Sequence, residues 1–311
     1  MHYLDNAATT RVLPEAAEAA VHAMLEEFGN PSSLHRMGLE ASHLLEDSRK
    51  TVASALGCLP EEVYFTACGT ESTNISLRGA AHLNRHKKGR IIVTEIEHAA
   101  TINTAKQLAD SGFDVVFLAP DATGHITPEA LAETLTEDTV LLSCQLVNNE
   151  IGTVQPVEQL GKLLKAKAPK ALFHIDAVQG LCRVRLTPKK WNCDLMSVSG
   201  HKIGAPKGIG ALYLSDRLVQ AFQPPYLGGE QERGLRPGTE NLPYAMGLAA
   251  AATRLAGSIR SRDKAMRALN DRLRAGLSIF PEVEINSPAG AVPEVLNFSE
   301  NCIKSETMLA W

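Results

Sequence analysis

The chain has 311 residues, of which 44% are hydrophobic, and a formal net charge of −4 with both signs well mixed. That length buries a large core and suits one large domain with a smaller one beside it. The balance excludes a basic nucleic-acid surface or a disordered acidic tail, and no apolar run reaches the roughly 18 residues of a membrane span.

In chain order, MHYLDNAATT has no basic-then-apolar leader pattern, and Asp5 would spoil one, so a cytoplasmic chain is expected. Residues 4–10 read either as a short extended segment with a polar turn or as a helix N-cap region. The spacing of Ala16, Ala19, Ala20, Met24 and Leu25 predicts a helix over 14–27, ended by Gly29-Asn30-Pro31-Ser32-Ser33. A second amphipathic helix is predicted over 38–55 and a strand over 62–66. Residues 67–74 form a turn that opens a helix. Gly69 and Thr70 there are either a phosphate cradle, where free amides and the positive helix end converge, or an ordinary Ser/Thr cap. Strand 90–94 leads to His98, which is either a hydrogen-bonded structural residue or a ring placed to stack on a planar cofactor. Strands are predicted over 114–118 and 140–144, with a helix over 128–135 between them. Asn148 and Asn149 follow, as loop chemistry or as carboxamide donors to a ligand.

Strand 171–176 ends on Asp176. Strand 194–199 runs into Ser199-Gly200-His201-Lys202 and a glycine-rich turn, and a further strand covers 210–214. About seven strands alternating with helices predict an α/β fold with a mostly parallel, right-handed sheet covered on both faces. Lys202 lies past a strand's carboxyl end, where open α/β sheets place ligands, and partial desolvation would make its amine a nucleophile toward an aldehyde. Alone, it reads more simply as a solvated lysine. Paired with Asp176 at a second strand end, it matches what pyridoxal 5′-phosphate needs: a lysine to carry the cofactor as a Schiff base and an acid to keep its ring nitrogen protonated. The polar, glycine-rich loop 228–241 has the length of a functional loop. Residues 243–277 read as one or two long helices, 282–286 and 295–299 as strands of a smaller domain, and Ser305 opens a helix toward Trp311. Cys58, Cys68, Cys144, Cys182, Cys193 and Cys302 show neither CxxC nor metal-ligand spacing and are expected to be reduced thiols, mostly in the core.

Several strings, DNAATT (5–10), GNPSSLHRMG (29–38), FTACGTE (65–71), VNNEIG (147–152), HIDAVQ (174–179), SGHK (199–202) and RPGTEN (236–241), resemble the cysteine desulfurases of the NifS/IscS type, in aminotransferase class V, over essentially the whole chain. The resemblance implies the type I fold of pyridoxal-phosphate enzymes, with a large domain over 15–245 and a small α+β domain from 1–14 and 246–311. It implies that L-cysteine becomes L-alanine while sulfur passes to an enzyme persulfide and then to an acceptor protein, in iron–sulfur cluster assembly or tRNA thiolation. Lys202 would be the cofactor lysine and the catalytic base, and His98 would stack and shuttle protons. Asp176 would face the ring nitrogen, with Asn149 and Gln179 on the phenolic oxygen. Gly69, Thr70, Ser199 and His201 would hold the phosphate, with Thr239 reaching across a homodimer. No metal, membrane or direct nucleic-acid binding is implied. The same pattern places a nucleophilic cysteine and a carboxylate-binding arginine beyond Trp311, so the chain reads as truncated; Cys302 in SENCIK does not fit the nucleophile pattern. Selenocysteine lysis, transamination, or a non-catalytic cofactor-loaded scaffold are the alternative readings.

Overall fold

Strand and helix alternate through the first two thirds of the chain in the computed structural model, which describes residues 2–223 and 226–309. Helices α1 (Pro14–Leu25) and α2 (Arg36–Leu56) precede strand β1 (Val63–Thr66). Then come α3 (Gly69–Leu83), β2 (Arg90–Thr94), α4 (Ala99–Asp110), β3 (Asp114–Leu118), α5 (Pro128–Thr134) and β4 (Thr139–Gln145). Helix α6 (Val157–Lys167), β5 (Leu172–Asp176), β6 (Leu195–Ser199) and β7 (Gly210–Leu214) follow. The rest is α7 (Leu242–Ala256), α8 (Ile259–Leu277), β8 (Val283–Ile285), β9 (Phe298–Glu300) and α9 (Ser305–Leu309). The expected run of the last helix to Trp311 lies outside the described residues.

The main sheet is seven-stranded, in the order β1-β7-β6-β5-β4-β2-β3. Only β7 is reversed: it pairs antiparallel with β1 and β6, and every other neighbour pair is parallel. Strands β1 to β6 therefore all point the same way. Period-two alternation divides their side chains between two faces. Val63, Phe65, Ala211 and Tyr213 pack in one core with Val52 of α2, Leu164 of α6 and Leu248 of α7. Tyr64, Ile91, Leu212 and Leu214 pack on the other face with Leu77 of α3 and Leu108 of α4. Burial on both sides is why these strands read as continuous apolar runs.

The alanine-rich stretch in α7 serves close helix packing. Ala245, Ala249 and Ala252 are buried, as are Ala16, Ala20 and Ala23 of α1. A Cβ on Gly247 would sit 3.1 Å from the Ala16 carbonyl oxygen, so α7 approaches α1 more closely there than a larger residue would allow. The long helical reading over 243–277 becomes two helices, interrupted at Gly257 and Ser258. The strand expected over 295–299 begins only at Phe298, because Val295 is buried in the main core beside a chain turn held by Val292 N–H on the Gly152 carbonyl at 2.9 Å. Strands β8 and β9 pair antiparallel as a separate ladder.

The loop 228–241, expected to lack an element, contains a 3-10 turn at Gln231–Gly234. Its Glu232 and Arg233 take φ of 47° and 56°, the left-handed region that disfavours side chains. A buried ion pair holds them there. Arg49 donates to Glu232 at 2.6 and 2.9 Å, and both residues are nearly inaccessible. The pair also serves the open side of edge strand β1: Phe65 N–H donates to Glu232 at 2.8 Å, and Arg49 donates to the Val63 carbonyl at 2.9 Å. Arg233 then lies 5.0 Å from the centre of the Tyr64 ring. Glu232→Ala would leave Arg49 buried with only the half-exposed Glu46 as a carboxylate partner. It should lower the unfolding free energy by about 3–5 kcal/mol, read by urea denaturation.

Candidate active site

The carboxyl ends of β1, β2, β4, β5 and β6 open onto one cavity of about 470 Å³. Gly69, Thr70, His98, Asn149, Asp176, Gln179, Ser199, His201 and Lys202 all line it. Thr239 does not: it is exposed on the loop 228–241.

Lys202 sits on the 3-10 turn Gly200–Lys202 that directly follows β6. Its Nζ donates to the carbonyls of Ala7 and Ala8 at 2.6 and 2.7 Å. Of the two readings of residues 4–10, the structure gives the turn, not a helix cap, and that turn closes over the lysine. Thr10 fastens it. Its N–H and Oγ1 donate to the His201 carbonyl at 2.9 and 2.8 Å, and its Oγ1 accepts from Gly204 N–H at 2.7 Å. Burial, and then the positive charge of Arg183, lower the proton affinity of Lys202, against the pull of Asp5 and Asp176. A lysine that gives up its proton more readily offers a larger share of free amine, the form that acts as nucleophile and base. His201 is likewise held below its usual pKa by burial, then by the charges of Lys202 and Lys207.

Asp176, the last residue of β5, is buried and accepts Val178 N–H at 2.9 Å. Burial raises its pKa, while that amide and the nearby His98 and Lys202 oppose the rise. Beside it lies an acid that sequence reading passed over. Glu97 is buried; one oxygen accepts from Thr94 Oγ1 at 2.9 Å and from Gln145 N–H at 2.5 Å, and the other has no partner. Gln145 is paired in register with Asp176 across β4 and β5. Burial, then repulsion from Asp176, push the Glu97 carboxyl up to about 8, so it keeps its proton at neutral pH. The one sequence signal was its place beside His98, immediately past a strand.

His98 fits its structural reading and also faces the cavity. Its Nδ1 accepts Ala100 N–H at 3.1 Å and caps α4, so a neutral ring carries its proton on Nε2, and the ring borders the cavity. Gln179 Nε2 donates to the Ala7 carbonyl at 2.8 Å, and Asn149 Nδ2 to Glu150 at 2.7 Å. Beneath the cavity floor, buried His174 bridges Ser143 and Ser197 at 2.8 and 2.9 Å, and burial holds it down to about 3, hence neutral.

The start of α3 is an open anion cradle. Its N-cap residue, Cys68, makes no side-chain cap bond, so the first-turn amides stay free at the positive end of the helix. A Cβ on Gly69 would lie 2.6 Å from Val178 Cγ2, so only glycine lets this turn approach the loop after β5. Next to it, the Ser199 hydroxyl is buried without a hydrogen-bond partner, a position that calls for a ligand acceptor or donor. Cys302 is remote in character: exposed, outside the cavity lining, with the charge of Glu300 raising its thiol pKa. Among the described residues no group of acids, histidines and cysteines could hold a metal, and no helix is long and apolar enough to cross a membrane.

Residues 2–310 match the family model described as aminotransferase class V. The chain is 40% identical over 308 residues to the cysteine desulfurase IscS of Methanosarcina thermophila, covering 99% of this chain and 75% of that protein. It is 42% identical over 310 residues to cysteine desulfurase 2 of Trichormus variabilis, covering 99% and 76%. Among solved structures, a NifS-like protein superimposes with a TM-score of 0.95 at 38% identity, over 98% of this chain and 83% of that one. DndA from Streptomyces lividans does so with a TM-score of 0.86 at 40% identity, over 99% and 87%.

The raised pKa of Glu97 has a defined effect on stability. Below its unfolded value of 4.5 both states are protonated; above that the unfolded chain ionises freely while the folded one holds its proton until about 8. This carboxyl therefore costs stability progressively from pH 4.5 to 8 and keeps that full cost above. Glu97→Gln should remove the slope: denaturation midpoints should match the parent near pH 4 and exceed it by pH 9.

Proposed function

The chain belongs to the aminotransferase class V family, and we propose that it is a pyridoxal 5′-phosphate-dependent cysteine desulfurase, the activity in its relatives' names. The observation that carries this reading is an amine and a buried carboxyl, Lys202 and Asp176, facing one cavity beside an uncapped helix start. Each feature suits one part of the cofactor. The unpartnered Ser199 hydroxyl and the free α3 amides suit a phosphate. Lys202, with only carbonyls as partners, suits an aldehyde, and buried Asp176 suits a ring N–H.

Bound there, pyridoxal phosphate supplies an aldehyde for amines and a ring that accepts the electron pair freed at the substrate's α-carbon. Lys202 would hold the cofactor, and its amine would move the proton at the α-carbon of L-cysteine. Asp176 accepts the ring N–H and keeps that proton in place. His98, whose ring borders the cavity, would stack on the cofactor ring and relay protons through Nε2. Asn149 and Gln179 orient the phenolic oxygen, and Gly69, Thr70, Ser199 and His201 bind the phosphate. Thr239 offers its hydroxyl to the second subunit of a homodimer. The reading gives L-alanine and sulfur passed through a cysteine persulfide to an acceptor protein. It includes a cytoplasmic location and a large domain over 15–245 with a small one from 1–14 and 246–311, α7 bridging the two.

The purified chain with added pyridoxal phosphate should show a visible absorption band that L-cysteine shifts. Lys202→Ala should lose the band, and its exchange of the L-alanine α-proton with deuterated water, followed by NMR, should fall by about 10²–10⁴-fold. An unchanged spectrum in that variant overturns the assignment.

A further inference from the structure

Arg183 stands behind the cavity wall, outside its lining, and reaches it through Gln179. Its Nη1 donates to the Gln179 main-chain carbonyl at 3.2 Å and also to the Gln179 side-chain Oε1. A carboxamide is nearly symmetric in shape, and only its partners decide which end donates. With a guanidinium on Oε1, Nε2 must face the other way, where it donates to the Ala7 carbonyl at 2.8 Å. The same oxygen accepts Lys202 Nζ at 2.6 Å. One chain of hydrogen bonds thus runs from Arg183 through Gln179 and Ala7 to the lysine. An arginine in this place is always charged, so the lysine amine works next to a fixed cation.

We propose that Arg183 is a positioning residue: it locks the donor end of Gln179 toward the cavity and holds a permanent positive charge near Lys202. The role given to Gln179 rests on the cofactor reading above, whereas the charge on Lys202 does not. The groups that face Lys202 are Asp5 from the N-terminal turn, Asp176 from the end of β5, the adjacent His201, and Arg183. Arg183 is itself faced by Glu294 and Arg262. After burial, Arg183 is the largest influence lowering the proton affinity of the lysine.

Two variants separate charge from geometry. Arg183→Met removes both, and Arg183→Lys keeps the charge but loses the planar fork. In cofactor-free protein, the pH profile of Lys202 acetylation by acetic anhydride is read by peptide mass spectrometry. Arg183→Met should move the midpoint up by about one pH unit, and Arg183→Lys should leave it at the parent value. In a parallel titration, pyridoxal phosphate should bind Arg183→Met about tenfold more weakly than the parent. A merely structural role would weaken binding without moving the Lys202 midpoint. Superimposable Lys202 profiles in parent and Arg183→Met, or an equal shift in Arg183→Lys, overturn the proposal. Circular dichroism checks folding, and Arg183→Gln, also neutral, carries the same expectation if the methionine variant does not fold. Should the parent bind no pyridoxal phosphate, the functional reading fails while the Lys202 midpoint still decides the role of the Arg183 charge.

Discussion

Parallel strands cannot be joined by tight turns; each must be followed by a connection that returns across the sheet. Six strands here obey that constraint, and its consequence is one edge where their carboxyl ends gather. Five of the six ends reach the cavity: the cradle of Gly69 follows β1, His98 follows β2, Asn149 follows β4, Asp176 is the tip of β5 and Lys202 follows β6. None of these residues is near another in sequence except within SGHK and HIDAVQ. The reversed strand, β7, sits between β1 and β6 and adds no carboxyl end to that edge, so it widens the sheet without crowding the cavity.

Desolvation then sets the charge state of what the edge collects. The same burial that holds a proton on Glu97 keeps His174 neutral and loosens the proton on Lys202. Asp176 is the exception worth following. It is buried deeply enough for its charged form to be penalised, and its present partners offset that only in part. A cationic ring N–H placed against it would complete the offset, which is the physical reason a buried acid without an ion-pair partner points to a ligand.

Two irregular segments, one lining the cavity and one outside it, are both fixed by long-range bonds. The N-terminal turn is fastened to the 201–204 turn through Thr10, and it lends Lys202 two carbonyls. The loop 228–241 is fastened to β1 by the Arg49–Glu232 pair and to the first turn of α3 by Arg236 on Glu71 at 3.2 Å. The strained backbone at Glu232 and Arg233 persists because these bonds over-determine it. Loops of this kind carry function by being rigidly presented.

The sequence by itself determined the elements and the family. Strands 90–94, 114–118 and 210–214 were legible to the residue, because apolar runs bounded by turn residues depend only on local chemistry. HIDAVQ, SGHK and RPGTEN were legible through resemblance to a family instead, and the first two carry the acid and the lysine. Three things were decided only by the fold. The strand at 295–299 shifted because a tertiary contact with Gly152 claimed Val295. Glu97 had no role in the sequence reading, and burial beside Asp176 gives it a proton. Arg183 and the Ala7 and Ala8 carbonyls gained meaning only where the chain brought them to Lys202. Local pattern reports what a segment prefers; proximity, burial and the field of distant charges exist only once the sheet has assembled.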